Sequence, residues 1–489
     1  MADLSYFHGV KLVESTDTPS VVRVQQQGVT FVNGHADDAD AVAFPENEPR
    51  LVTSLSQASV LGAEGSLLRD VTTVFEEGGS YVVVNRVPFS DTPATLEANL
   101  IGDPVARTGL YALHRAKALT GYRPRVIITE GDTGAWIEDG VTSVVLATNG
   151  SNMTAVPSVT ASGGGSATGK VLPTLEAVMG EGAAAGTVVA IKVLTPGKNM
   201  TQAPTIAFSG GGTDEDKVLP TATANVGDVG NGFVSALRAI CHADGARCRA
   251  YIQGPNGTNA DAVRFRQVIN SDRIFVIDPK GLKNVAGSLV TVPTAPVFAG
   301  IRARVVASAE GVSGSVSNKI IRTLDGVSRT VNYPLDSNYL NENQINTIIN
   351  ERGGLRTWGS RLASENQLWQ FDSVRASADM INESLEDLYF LYVDRKFTRG
   401  NLKMMVEDGN AALRVFALNE DILGGRVWLA DLNTPTLNAQ GKVFLNVEFE
   451  PVGLMEQIHI TTHRNILYYQ LLLDDVRGAI ENGPLSLAA

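Results

Sequence analysis

The chain has 489 residues, 44% of them hydrophobic, enough for more than one packed core and for roughly two to four domains by length. Its 40 Lys and Arg stand against 52 Asp and Glu, a net charge of -12 that opposes broad contact with nucleic acid, because phosphate neutralisation needs clustered cations. Two cysteines, Cys241 and Cys248, exclude a disulfide-rich scaffold, and no window approaches the roughly 18 apolar residues of a membrane span. Met1 to Val10 shows no basic region followed by an apolar run, so no signal peptide is expected and folding is predicted to occur in a reducing cytoplasm.

Residues 8–33 include alternating apolar and polar side chains, as at Val22, Arg23, Val24 and Gln25, which predicts strands with one buried face. Ser66 to Glu77 carries Leu67, Leu68, Val71, Val74 and Phe75 at helical spacing, with Gly78-Gly79 as its stop. Tyr81 to Val84 follows as a strand buried on both faces. Val105 to Leu119 predicts a second amphipathic helix and Arg125 to Thr129 another strand.

From Gly140 to about Gly232 the texture changes to Gly, Ser, Thr, Ala and Val, and helical periodicity disappears. This stretch repeats itself at an offset of 47 residues without a gap: Asn152-Met153-Thr154 returns as Asn199-Met200-Thr201, Pro157 as Pro204, Ser162 to Gly165 as Ser209 to Gly212, and Lys170 to Pro173 as Lys217 to Pro220. Short β-branched runs between the turns predict a small β domain with a pseudo-repeat. The helix–strand rhythm then resumes, with helices at 233–243 and 260–269 and strands at 247–252 and 273–277. The strand at 125–129 thus waits until residue 233 for its crossover helix, and the simplest account inserts a β domain into a βα loop of a doubly wound α/β layer. The last third predicts helices near 341–352, 376–392 and 400–418. Strands near 442–449 and 457–463 follow, then a helix from Ile466 to Ile480. Val443, Leu445, Val447 and Phe449 fall on one face of the first of these strands.

Reactive constellations are sparse. Cys241-His242 with Cys248 lacks the close pairing and four ligands of a zinc site and reads as buried thiols. The glycine runs at 163–165 and 210–212 are followed by no Gly-Lys-Ser/Thr and read as turns. His8, His35, His114, His242, His459 and His463 are scattered. Glu76-Glu77 and Asp474-Asp475 read as solvated helix faces or intersubunit contacts. There is no Gly-x-Ser-x-Gly elbow and no glycine fingerprint after an early strand. No catalytic, cofactor or metal residue is therefore assigned.

Three stretches carry a resemblance. Glu48-Pro49, then Leu51-Val52-Thr53-Ser54, Gly62 and Gly65 before a helix, resembles the start of contractile phage tail sheath proteins. Gly311 to Asn318, with Ile321 and Gly326-Val327, is similar to that family's Ser-Asn stretch. Gly354-Leu355-Arg356-Thr357-Trp358-Gly359 with Arg361 resembles its Trp-Gly-x-Arg segment, with Leu362 where threonine is common. Order and spacing hold across roughly four hundred residues outside the insertion.

The resemblance implies a structural protein that stacks as rings around an inner tube and contracts into a wider, shorter lattice. It implies arms at 8–33 and 442–463 that add strands to neighbouring subunits; from the residues alone these strands pair equally well within their own domain. The expected organisation is an N-terminal arm at 1–35, a sheath domain at 36–139 and 232–335, the β insert at 140–231, and a C-terminal α+β domain with a strand-donating arm at 336–489. Candidate intersubunit contacts are Val22, Val24, Val443, Leu445, Val447 and the group Arg356, Trp358 and Arg361, read as a loop anchored by one indole or as an arginine contact to a neighbour's acidic face. The implied partners are further copies of the chain, the tail tube protein, and the baseplate and tail terminator proteins, in a virion tail assembled in the host cytoplasm. No nucleic acid or membrane insertion is expected. An α/β enzyme and a secreted adhesin or surface-layer subunit remain the alternatives.

Overall fold

The structure, a computed structural model, describes residues 24–481. It divides into two compact units, one running to Gly453 and the other starting at Leu454.

In chain order the first unit opens with β1 (Val29–Gly34), β2 (Arg50–Val52), α1 (Leu55–Ala58), α2 (Leu67–Glu76), β3 (Tyr81–Arg86), α3 (Pro93–Ile101), α4 (Leu113–Thr120) and β4 (Val126–Thr129). Six strands without a helix longer than one turn follow: β5 (Trp136–Thr148), β6 (Pro157–Gly163), β7 (Thr174–Met179), β8 (Val188–Thr195), β9 (Pro204–Gly210) and β10 (Thr221–Gly230). Next come α5 (Gly232–Cys241), β11 (Arg249–Gln253), α6 (Asn259–Gln267), β12 (Ile274–Ile277), β13 (Gly281–Val285), β14 (Ser288–Val292), α7 (Ala295–Val306) and β15 (Gly326–Val327). The unit closes with α8 (Leu335–Glu342), β16 (Ile345–Asn350), β17 (Leu355–Trp358), α9 (Asp372–Phe390), α10 (Arg399–Leu418), β18 (Ile422–Leu429), α11 (Pro435–Ala439) and β19 (Leu445–Pro451). The second unit carries α12 (Tyr468–Glu481).

The main sheet has the order β17-β16-β12-β11-β4-β1-β3-β2. Six central strands run parallel, and β17 and β2 flank them antiparallel. Alternate residues feed two cores. Val82 and Val84 join Leu67, Val71 and Val74 of α2 and Phe298 and Ile301 of α7 on one side. Val83, Ile127 and Ala250 join Phe233 and Leu237 of α5 and Phe265 of α6 on the other. Burial on both faces is why these strands read as unbroken apolar runs. β4 and β11 are direct neighbours (Val126 beside Arg249) although β5 to β10 separate them in sequence.

The repeat explains itself in the strand register. β6 and β9, equivalent strands of the two copies, pair antiparallel with Pro157 opposite Gly210 and Gly163 opposite Pro204. The register is centred on the repeat offset: the middle pair is Thr160 and Ala207, and Thr160 Oγ1 meets the Ala207 carbonyl across 47 residues. The first strand of one copy pairs with the last strand of the other, β5 with β10 and β8 with β7, so the copies interlock about a pseudo-twofold axis. Each repeated residue has one job in both copies. Met153 and Met200 fill the two small cores. Asn152 and Asn199 take left-handed backbone at φ 57° and 54°. Gly165 and Gly212 are also left-handed, and a Cβ on either would lie 1.9 Å from the hydroxyl of Thr201 or Thr154 of the other copy.

Several expectations need correction. The helix expected at 105–119 is shorter: a 3-10 turn at Gly109–Ala112 leads into α4, Arg107 and Gly109 take left-handed backbone at φ 56° and 54° ahead of it, and α3 precedes it unforeseen. The stretch 341–352 is the end of α8 followed by β16: Ile345, Ile348 and Ile349 are core strand residues, and Gln344 at φ 56° ends the helix. In the arms, residues 24–28 are outside any strand, residues 8–23 lie outside the described residues, and 457–463 forms no strand within this chain. Arg356, Thr357 and Trp358 form β17 rather than a loop.

Candidate functional site

β18 and β19 form a two-stranded antiparallel sheet with Val427 opposite Val447 and Leu429 opposite Leu445. Asn410 of α10 lies along the outer side of β18. Its Oδ1 accepts from Val427 N at 2.9 Å and its Nδ2 donates to Val427 O at 2.9 Å, as a neighbouring strand would. Both backbone groups of Val427 therefore point away from β19, and Val427–Val447 is a non-hydrogen-bonded pair. The intervening register agrees, since Ala430 N donates to Phe444 O at 3.0 Å. By the same alternation the backbone groups of Leu445, Val447 and Phe449 point outward, along an edge with no strand partner among the described residues. Leu445 and Phe449 pack partly into the cluster of α9 and α10, while Val447 is 36% exposed.

α9 holds this C-terminal part on the main sheet through charge. Asp372, Asp379, Glu383 and Glu386 sit seven, four and three residues apart, on one helical face. Arg125, Arg249 and Arg273 stand at the entry ends of β4, β11 and β12, three neighbouring strands. Asp372 accepts from Arg249 Nε at 2.7 Å and from the Tyr251 hydroxyl at 2.9 Å. Asp379 takes both terminal nitrogens of Arg273, at 2.8 and 2.9 Å. Glu383 accepts from Arg125, and Glu386 from Arg247. Arg302 of α7 approaches Asp372 at 3.6 Å and donates to the carbonyls of Val312 and Gly314 at 2.6 Å each. Burial pushes the Asp372 carboxyl up, but Arg249 and Arg302 outweigh it and hold the group below its ordinary value. Burial pulls Arg249 down, and Asp372, Tyr251 and Asp379 reverse that to a net rise. Burial, then the Asp372 charge, drive the Tyr251 phenol well up, so it stays a donor.

Two of the three stretches singled out by resemblance, 311–327 and 354–361, meet one another. Asn318 N donates to Thr357 O at 2.6 Å, Thr357 Oγ1 to Val316 O at 2.6 Å, and Gly359 N to Ser317 Oγ at 3.0 Å. Residues 318–321 thereby cover the outer edge of β17. Arg356 Nη1 reaches Asn318 Oδ1 at 3.3 Å, Trp358 meets the Tyr333 ring edge-on at 5.3 Å, and the Arg361 guanidinium lies 5.8 Å from the Phe371 ring.

Of the other predicted contact residues, Val24 is exposed, Val443 lies just ahead of β19, and Val22 lies outside the described residues. The start of the described chain reaches α9, where Gln25 Nε2 donates to Asp387 at 2.8 Å. Glu77 corrects its expected place on a solvated face. Gly78 turns the chain at φ 113°, and the buried Glu77 carboxylate accepts from Arg322 N and Thr323 N and pairs with Arg304. Cys241 and Cys248 are buried free thiols, as expected. The glycine runs at 163–165 and 210–212 are left-handed turns. The α9 acids and the arginines ahead of the strands were missed by sequence reasoning. Their signal is a charged residue set directly before an apolar strand, as at Arg125-Val126-Ile127-Ile128 and Arg273-Ile274-Phe275-Val276.

No protein-family model matches the chain. Solved structures share its fold: the anti-feeding prophage baseplate in the contracted state at TM-score 0.58 and 16% identity, covering 95% of this chain and 99% of that one, and the contracted sheath complex of an extracellular contractile injection system at TM-score 0.57 and 13% identity, covering 95% and 99%. In sequence the chain is 23% identical over 490 residues to the major tail sheath protein of Serratia phage KSP20, across 97% of this chain and 99% of that one. It is 22% identical over 475 residues to the tail sheath protein of Escherichia phage P2, across 93% and 94%. A putative prophage major tail sheath protein of Pseudomonas aeruginosa is 31% identical over 232 residues, 45% of this chain. The chain is a homologue of the contractile tail sheath proteins.

Proposed function

We propose that this chain is the structural subunit of a contractile phage tail sheath, stacking in rings around a tail tube and shortening to drive the tube through the host envelope. The observation that carries this reading is the end-to-end sequence likeness to the phage KSP20 and P2 sheath proteins. It favours the sheath over an α/β enzyme or a surface-layer subunit. The partners follow from that role: other copies of the chain, a tail tube protein, and baseplate and terminator proteins at the ends, in a tail assembled in the host cytoplasm.

The core is a doubly wound α/β layer, supported by the parallel order of β3, β1, β4, β11, β12 and β16 with apolar clusters on both faces. The open edge of β19 is the acceptor for an arm of a neighbouring subunit, with Leu445 and Val447 at the joint and Val24 leading into the outgoing N-terminal arm. A backbone-paired joint of this kind keeps its hydrogen bonds while the strand twists, so it can hinge as the lattice rotates. The acids of α9 transmit load from that joint to the main sheet. Arg356, Trp358 and Arg361 keep their contacts within the chain and reach a neighbour only through the exposed parts of their side chains.

Residues 140–231 form an inserted domain on the outside of the sheath, supported by the direct pairing of β4 with β11. A chain lacking 140–231, with the ends joined by a short glycine-rich linker, is expected to build tubes of normal repeat and smaller outer radius in negative-stain micrographs. A folded deletion protein that builds no tubes overturns the peripheral placement.

A further inference from the structure

We propose that Cys248 and Cys241 form a reactive dithiol site, opened to small anionic disulfides by the cleft beside α4, and that it closes to an intrachain disulfide. The site lies outside the sheath joint and does not depend on it.

The observations are geometric. The two sulfurs are 3.9 Å apart, Cys241 at the last residue of α5 and Cys248 just before β11. A disulfide bond of roughly 2 Å would bring the sulfurs about 2 Å closer. A cleft of about 470 Å³ lies between α4 and the 243–248 turn, and its lining includes Cys248 but not Cys241. Lys117, Arg123, Arg247 and Asp244 line it; Arg247 pairs with Glu386 and Arg123 lies 3.4 Å from Glu383, so Lys117 is the cation that draws an anionic reagent to it. His114, also in the lining, is pushed down by burial and by Arg107, and adds little charge at neutral pH.

The two thiols differ in the way an attacking and a resolving thiol must. The hydrogen bond between the two sulfurs lowers Cys248; burial opposes that, and the charges of Arg273 and Arg249 favour its thiolate. The same hydrogen bond and burial push Cys241 up, so it keeps its proton. The Cys248 thiolate attacks one sulfur of the reagent, forming a mixed disulfide and expelling one reagent thiolate. Cys241 then loses its proton and attacks the Cys248 sulfur, forming the Cys241–Cys248 bond and expelling the second thiolate. Two protein thiols are oxidised, two protons are released, and one reagent disulfide is reduced to two thiolates.

The test treats the full, folded chain with 5,5′-dithiobis(2-nitrobenzoate). The expected result is two equivalents of thionitrobenzoate per chain under native conditions and an intact mass lower by two hydrogens, restored by dithiothreitol. Cys241→Ser should stop at a stable mixed disulfide with one equivalent released, and Cys248→Ser should leave Cys241 unreactive until the chain is unfolded. Circular dichroism before reaction checks that each variant is folded, and the wild-type mass needs no variant. The proposal is overturned if native wild type releases nothing while guanidinium-unfolded chain reacts, if wild type stops at a mixed disulfide, or if Cys248→Ser reacts as fast as wild type.

Discussion

Replacing Asp372 with alanine is expected to lower the stability of the folded chain by about 3–5 kcal/mol, read as an earlier urea midpoint, because it leaves buried cations without their anion. Asp372 is 1% exposed, and Arg249, Arg302 and Tyr251 all converge on it. It also stands in the first turn of α9, where a negative charge complements the helix dipole. The pair does not make the protein more stable than an apolar core would; its removal is what costs, since a guanidinium cannot shed its proton to escape burial. Asp475→Asn, on α12, serves as the control and should change stability by no more than about 0.5 kcal/mol. The pH dependence has a fixed sign. The folded-state value of Asp372 lies below that of an ordinary aspartate, so its stabilisation is complete above the unfolded-state value and is lost as pH falls through the folded one. Acid unfolding led by α9 is therefore expected below about pH 4. A midpoint unmoved by Asp372→Ala would show that α9 is held by its apolar face alone.

Replacing Val447 with proline is expected to abolish tube formation while leaving the folded subunit almost as stable as before. The register Val427–Val447 and the Asn410 bonds to Val427 place the Val447 N–H on the open side of β19, so proline there removes no bond of the β18–β19 ladder. It does remove the central donor of the acceptor edge and puts a ring in the path of an incoming strand. Asn446→Pro, one residue earlier, should instead break a bond to Trp428 and destabilise the subunit itself. Native-state melting and electron microscopy on the two variants separate the effects. Normal tubes from Val447→Pro would mean that neighbours do not pair with this edge.

The main sheet was legible because its strands are buried on both faces: Tyr81 to Val84 and Arg273 to Ile277 read as apolar runs with no competing period. The short strands and left-handed turns between 140 and 231 were legible because duplication wrote the same turn chemistry twice. What failed has physical causes. The segment 341–352 carries helix formers at its start, and only burial of Ile345, Ile348 and Ile349 in the sheet settles it as strand. α3 was not foreseen, although Pro93 stands in its first turn, where proline suits a helix. Glu77 looked solvated because its partners are 245 and 246 residues away. The ion set on α9 was invisible for the same reason, since each acid finds an arginine more than a hundred residues distant in sequence. Of the candidate joint, the alternation of Leu445, Val447 and Phe449 was readable, but which backbone edge stays open depends on Asn410, a residue with no strand signature at all.

The most direct test is negative-stain electron microscopy of the full chain expressed alone and then with its tail tube protein. The account predicts hollow tubes or stacked rings, with the 140–231 domain visible as knobs on the outer surface. Discrete monomers in both preparations would contradict it.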